Sequence, residues 1–218
     1  ADEAFLDNHA LTKGTMALVD EQQAERLYAS VGPGLETSGG SAANTLAGIA
    51  QLGGGAGFIG RVRDDQLGAI FAHDIRSVGA RFETPAATAG PSTARCLILV
   101  TPDAQRTMCT YLGASVGLDP GDLDLEMVAQ AKVLYLEGYL WDELHAREAL
   151  DRAIDILEVQ GSERLWMNSA CDWGISDPVA VPKCALRMKA RGHDPAAIEK
   201  IIHQNPVDFL SQSPRFVI

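Results

Sequence analysis

The sequence predicts an α/β fold in which a mainly parallel sheet is flanked by helices, with an antiparallel hairpin beside it. Three observations predict it. Helical and strand-like patterns alternate as far as residue 157, the order that crossover helices between parallel strands produce. Two strand-like runs, 93–101 and 106–112, flank Pro102-Asp103-Ala104-Gln105, a hairpin turn signal. The 218 residues are 46% hydrophobic and 22% charged, enough apolar surface for a core and too much for a disordered chain.

Each element follows from local chemistry. Asp20 is placed to cap a helix over Glu21–Ser30, with Ala24, Leu27, Tyr28 and Val31 on one face. Ala42–Leu52 forms a second helix, and Gly53 offers a left-handed stop. Ala56–Gly60 reads as a short strand. In Gln66–Val78, residues Leu67, Ile70, Phe71, Ile75 and Val78 fall at helical spacing, with Gly79 as the stop. Val133–Leu136 reads as a buried strand and Leu144–Leu157 as a helix. Further on, Leu165–Ala170 is a strand leading through Cys171–Pro178 to a helix around Pro182–Ala190, stopped by Gly192. Asp194 caps a last helix that starts at Pro195 and runs to about His203, where Asn205-Pro206 breaks it.

Composition excludes several classes. Eighteen Lys and Arg against 29 Asp and Glu leave a net charge of −11, the wrong sign for coating nucleic acid. Residues 37–60 carry no charge over 24 positions, yet eight are glycine and Ser38, Ser41, Asn44, Thr45 and Gln51 interrupt them, so no membrane span is expected. Cys96, Cys109, Cys171 and Cys184 show no metal or redox spacing and fit reduced thiols in a cytoplasmic protein. The chain opens on Ala1 rather than methionine, inside an acidic helical-looking segment. Residues 158–218 hold seven acids and seven bases, so residues 1–157 carry the whole imbalance. That shift sets an expected boundary near Glu158–Gly161, dividing the chain into 1–157 and 158–218.

The sharpest local feature is Ser38-Gly39-Gly40-Ser41-Ala42-Ala43-Asn44. Two glycines at a helix start let backbone N–H groups approach a ligand directly. The Asn44 amide offers two donors and an acceptor, suited to the vicinal hydroxyls of a sugar. On pattern alone a glycine turn with a capping polar residue is the commoner outcome. The lysine of a Walker-type phosphate loop is absent.

Gly39-Gly40-Ser41-Ala42-Ala43-Asn44 with Leu52-Gly53 resembles the first signature of the PfkB (ribokinase-like) carbohydrate kinases. The run from Phe58 through Gly60-Arg61-Val62-Arg63-Asp64-Asp65 to Gly68 resembles the family's next block. Thr93-Ala94-Arg95-Cys96, Arg106-Thr107 and Tyr111–Ala114 resemble its substrate-covering strands, most like adenosine-kinase-like members. The resemblance implies a partial ribokinase-like sheet with flanking helices and a hairpin lid. It implies transfer of a phosphoryl group from ATP, with Mg²⁺, to a hydroxymethyl group of a sugar or nucleoside. Gly39, Gly40 and Asn44 would hold ribose hydroxyls, Glu137 and Tyr139 would border the substrate, and Arg106 would face the transferring phosphoryl group. Taken alone, Arg106 reads better as a surface arginine on a hairpin, and Glu137 reads equally as a solvated strand end. The small molecule is the expected partner, with no nucleic acid and no membrane, and an oligomer through the lid hairpin remains open.

The family's anion-hole and base signature, Asp-Thr-x-Gly-Ala-Gly-Asp, occurs nowhere in these 218 residues. Asp119-Pro120-Gly121-Asp122 is a turn instead. The chain is therefore expected to hold ATP and Mg²⁺ weakly and to lack kinase activity of its own. A non-catalytic nucleoside- or sugar-binding remnant is the alternative. Residues from about 161, with Leu165–Gly174 and Asn205–Leu210, resemble the end of TatD-like metal-dependent hydrolases, a C-terminal strand-helix-helix unit. There Asp172 matches a metal-site carboxylate, but no His-x-His pair accompanies it, and a loop-capping carboxylate is the better reading.

Overall fold

The hairpin, the alternating helices and the capped helix starts all appear in a computed structural model that describes residues 1–137, 144–160 and 180–210. Helix α1, Glu3–Asn8, is capped by Asp2, whose carboxylate accepts from the Phe5 N–H at 2.8 Å. Strand β1 is Met16–Leu18. Helix α2, Glu21–Ser30, starts on the expected Asp20. There the carboxylate accepts from the Gln23 N–H at 2.7 Å and the Gln23 amide oxygen accepts from the Asp20 N–H at 3.1 Å, a reciprocal pair that satisfies two otherwise orphaned donors. Asp20→Ala removes one of these bonds and loosens the other. It is expected to cost about 1 kcal/mol, read as a lower urea midpoint; an unchanged midpoint would show that the cap adds nothing.

A three-stranded sheet carries the hairpin, with β1 at one edge. Strands β4, Arg95–Val100, and β5, Arg106–Tyr111, pair antiparallel, and β1 runs parallel to β5. Period-two alternation divides the sheet. Its inner face buries Leu99, Thr107 and Cys109, the first and last against Leu6 of α1 and Leu27 of α2. Its outer face lines up Met16, Met108 and Ile98 in one row and Leu18, Thr110 and Cys96 in the next, with Arg106 opposite Val100. That face is open: Leu18 is 63% exposed, Ile98 53% and Val100 51%.

The second body is built on α3, Ser41–Gln51, and α4, Gln66–Ser77, over a parallel pair of two-residue strands, β2 (Gly57–Phe58) and β3 (Arg81–Phe82). The uncharged stretch 37–60 is thus an eleven-residue helix with a loop and a short strand, and no helix among the described residues is long and apolar enough to cross a membrane. Phe58, Phe71 and Phe82 meet with ring centroids 5.4 to 5.8 Å apart, over a core of Ala43, Val62, Ile75 and Ala80. Gly53 and Gly79 take the left-handed stops expected of them, at φ 84° and 92°.

The third body follows 3₁₀ turns at Gly113–Gly117 and Pro120–Asp122 and helix α5, Leu125–Gln130. Helix α6 is Leu144–Gln160, α7 is Ala180–Ala190 and α8 is Pro195–Glu199, capped by Asp194 as expected. Ile154, Met188, Ile198 and Ile201 form its core.

Several expectations need correction. Val133–Leu136 is not a strand: Leu134 and Leu136 pack on the α6–α8 core while Val133 is 60% exposed. Tyr135 is exposed as well, so the run is only half buried, and among the described residues no partner strand receives it. Ala56–Gly60 shrinks to Gly57–Phe58, and Tyr28 faces out, its hydroxyl donating to Glu36 at 2.6 Å. Asn205-Pro206 does not end the last helix. A π turn over Lys200–Gln204 precedes α9, Asn205–Leu210, and puts Pro206 at the second position, where a helix tolerates a missing N–H. The Leu165–Ala170 strand and the Cys171–Pro178 loop lie outside the described residues. Cys96, Cys109 and Cys184 are free thiols.

Candidate functional site

Gly40 holds φ 102° and ψ 140°, a backbone that side chains rarely adopt, and turns the chain into α3. No side chain caps that helix start, and a Cβ on Gly39 or Gly40 would meet nothing within 4 Å. The first-turn N–H groups of α3 therefore sit beneath an open approach. Asn44 anchors the turn through its backbone, donating to the Gly40 carbonyl at 2.8 Å, and leaves its exposed amide for other work.

Glu137 is delivered to the same place from 96 residues away. The Ser41 hydroxyl donates to Glu137 Oε2 at 2.6 Å, and the Tyr135 hydroxyl donates to Oε1 at 3.1 Å. Gly39, Gly40, Asn44 and Glu137 thus gather around one helix terminus. A carboxylate there also faces the positive end of the helix dipole. Arg106 lies instead on the hairpin, as the first residue of β5, on the open outer face with Met108 and Thr110. Tyr139 and Asp172 lie outside the described residues.

Between α3 and α4 is a cavity of ≈ 170 Å³, lined by Thr37, Ser38, Asn44, Asp74 and Ser77 on its polar side. Asp74 is the member that sequence reasoning missed. Its carboxylate pairs with His73 Nδ1 at 3.2 Å and accepts from the Ser38 N–H at 3.3 Å. The His73 contact and then the Ser38 N–H hold that carboxyl below its ordinary range. A signal existed: Leu67, Phe71, Asp74 and Val78 share one helical stripe, and an aspartate there breaks an apolar row.

The match to known proteins is extensive. A profile described as pfkB family carbohydrate kinase matches residues 18–183. The chain belongs to that family. A probable chloroplastic fructokinase-6 of Arabidopsis thaliana is 26% identical over 191 residues, covering 76% of this chain and 48% of that protein. A 5-dehydro-2-deoxygluconokinase of Geobacillus kaustophilus is 32% identical over 129 residues, covering 57% and 38%. The crystal structure of adenosine kinase from Sinorhizobium meliloti superposes with a TM-score of 0.70 at 50% identity, covering 74% of this chain and 49% of that one. This chain thus spans half or less of these relatives. The mixed α/β architecture, with its partial sheet and flanking helices, is the ribokinase-like fold. Membership implies ATP and a divalent metal, and the relatives are sugar and nucleoside kinases. Among the described residues no three His, Cys, Asp or Glu side chains converge as a metal site.

Proposed function

We propose that this chain provides the acceptor-binding half of an ATP-dependent kinase for a nucleoside or sugar with a ribose-like ring, adenosine being the first candidate. The observation that carries this reading is the Ser41–Glu137 hydrogen bond, which joins the glycine turn to the segment expected to border the substrate. The open N–H groups after Gly40 and the Asn44 amide suit a pair of neighbouring hydroxyls, with Gly39 and Gly40 keeping side chains out of the way. Glu137 accepts from a further hydroxyl, at the cost of releasing Ser41. Arg106 on the outer lid face supplies a guanidinium to the anionic group that is transferred, and Ile98, Met108 and Leu18 on that face offer apolar cover. ATP, when bound, supplies the transferable phosphoryl group. An association of two copies through the lid hairpin fits the same open face.

We further propose that residues 1–218 alone bind without transferring. The family's anion-hole and base signature is not within this sequence, and such groups are each worth orders of magnitude in rate. Calorimetry with adenosine and with ribose tests the first part. Binding is expected, and Asn44→Ala should weaken it about tenfold, the loss of roughly one good hydrogen bond. Absence of heat with both ligands would sink the binding reading. ADP release above background in the presence of ATP, Mg²⁺ and adenosine would sink the second part.

A further inference from the structure

Three stretches of chain join the β1-β5-β4 sheet and α2 to the rest of the chain, and they are held in different ways. The stretch from α2 to α3, residues 31–40, contains four glycines with open space where a Cβ would stand, and touches α4 through the Ser38 N–H, which donates to Asp74 at 3.3 Å. The stretch entering β4 is fastened at Thr93, which is 5% exposed. Asp65 Oδ2 accepts from the Thr93 N–H at 2.9 Å and Oδ1 accepts from the Thr93 hydroxyl at 2.7 Å. The same Oδ1 accepts from the Gly68 N–H at 2.8 Å and so caps α4, while the Arg63 N–H donates to Thr93 Oγ1 at 3.0 Å. The stretch leaving β5 is fastened to the entering one: the Ala114 N–H donates to the Ser92 carbonyl at 2.8 Å.

We propose that Asp65 is a positioning residue that, through Thr93, fixes the angle of the β1-β5-β4 sheet on α4. The assignment of this sheet as a lid over the acceptor rests on the function proposed above; the pin itself rests on the contacts alone. Burial pushes the Asp65 carboxyl up, but the bonds from Thr93 and Gly68, with Arg63 nearby, outweigh it and leave it below its ordinary range. The pin therefore stays a charged acceptor at neutral pH. Two bonds from one residue fix a direction as well as a distance, which a single bond does not. Neither residue touches the candidate acceptor site, so their effect on binding is through the angle of the lid.

Hydrogen–deuterium exchange on the full 218-residue chain tests the pin without any ligand. Thr93→Val removes the hydroxyl bonds, keeps the shape and leaves the Asp65 cap on Gly68. Amides of β4 and β5 are expected to exchange about tenfold faster, with α4 and α6 unchanged, and Thr93→Ser should restore the native rates. Asp65→Asn keeps an acceptor for Gly68 but sets an amide NH₂ against the Thr93 N–H, and should show the same regional pattern. Unchanged rates in Thr93→Val would overturn the proposal. So would acceleration spread evenly over α4 and α6, or failure of serine to restore the rates. An adenosine titration of Thr93→Val is the separate arm. If the native chain binds adenosine, weaker binding is expected; if it binds none, the acceptor-lid reading fails while the exchange result still decides the pin.

Discussion

Gly113→Ala is expected to lower stability by about 3 kcal/mol, among the largest effects of any single methyl added to this chain. Gly113 follows β5 at φ 49°, in the left-handed region, where a Cβ costs ~1–2 kcal/mol. The same Cβ would stand 2.2 Å from the Ser92 carbonyl oxygen and 2.9 Å from the Ala94 nitrogen. Both are backbone atoms held in the crossing that enters the lid, so neither can swing aside, and overpacking of this kind costs ~1–3 kcal/mol. Alanine stiffens the unfolded chain and returns ~0.4–1 kcal/mol, which does not reverse the sign. Urea unfolding followed by far-UV circular dichroism measures it. A midpoint within error of the native one would mean that the two crossings are looser than the Ser92–Ala114 hydrogen bond indicates.

What was legible in the sequence was what is local. Asp20 and Asp194 announce helix starts because a short carboxylate reaches its own N–H groups two or three residues on. Gly53, Gly79 and Gly192 announce helix ends because only glycine enters the left-handed region without strain. The hairpin was legible from its turn and its strand-like flanks. Strands β1 and β3 were not, since two or three residues carry no period. Val133–Leu136 shows the converse limit. Its apolar run was read as a buried strand, but a strand also needs a neighbour, and nothing in a segment states who that neighbour is.

The candidate site divides along the same line. The glycine pair and Asn44 are contiguous, so their meeting at the start of α3 could be read directly. Glu137 was named only through resemblance, because its bond to Ser41 spans 96 residues and no spacing rule reaches that far. Asp74 needed only a closer look at a helical stripe. Asp65 was seen as part of a block, whereas its grip on Thr93, 28 residues on, comes from the way α4 and β4 cross.

The C-terminal helices give the second large prediction. Asp151 on α6 is 11% exposed and lies between two guanidiniums of α7 and its C-terminal end, Arg187 Nη2 at 2.9 Å and Arg191 Nη1 at 2.6 Å. Asp151→Ala removes the carboxylate that Arg187 and Arg191 share at the seam, while Arg191 keeps Asp155. Breaking a fully buried pair costs ~3–5 kcal/mol, but these arginines are about a third exposed and can regain water, so about 2 kcal/mol is expected. The loss should be regional. The seam's apolar part is small, built on Ile154, Met188, Ile198 and Ile201, and residues 180–210 should become cleavable by protease before the α3–α4 body does. Asp155 supplies the internal control, because its bond to Arg191 at 3.1 Å is solvent-exposed and Asp155→Ala should cost under ~1 kcal/mol. Equal losses in the two variants would mean that charge count rather than burial holds these helices. No loss in either would mean that the isoleucine and methionine packing holds α7 and α8 on α6 without the aspartates.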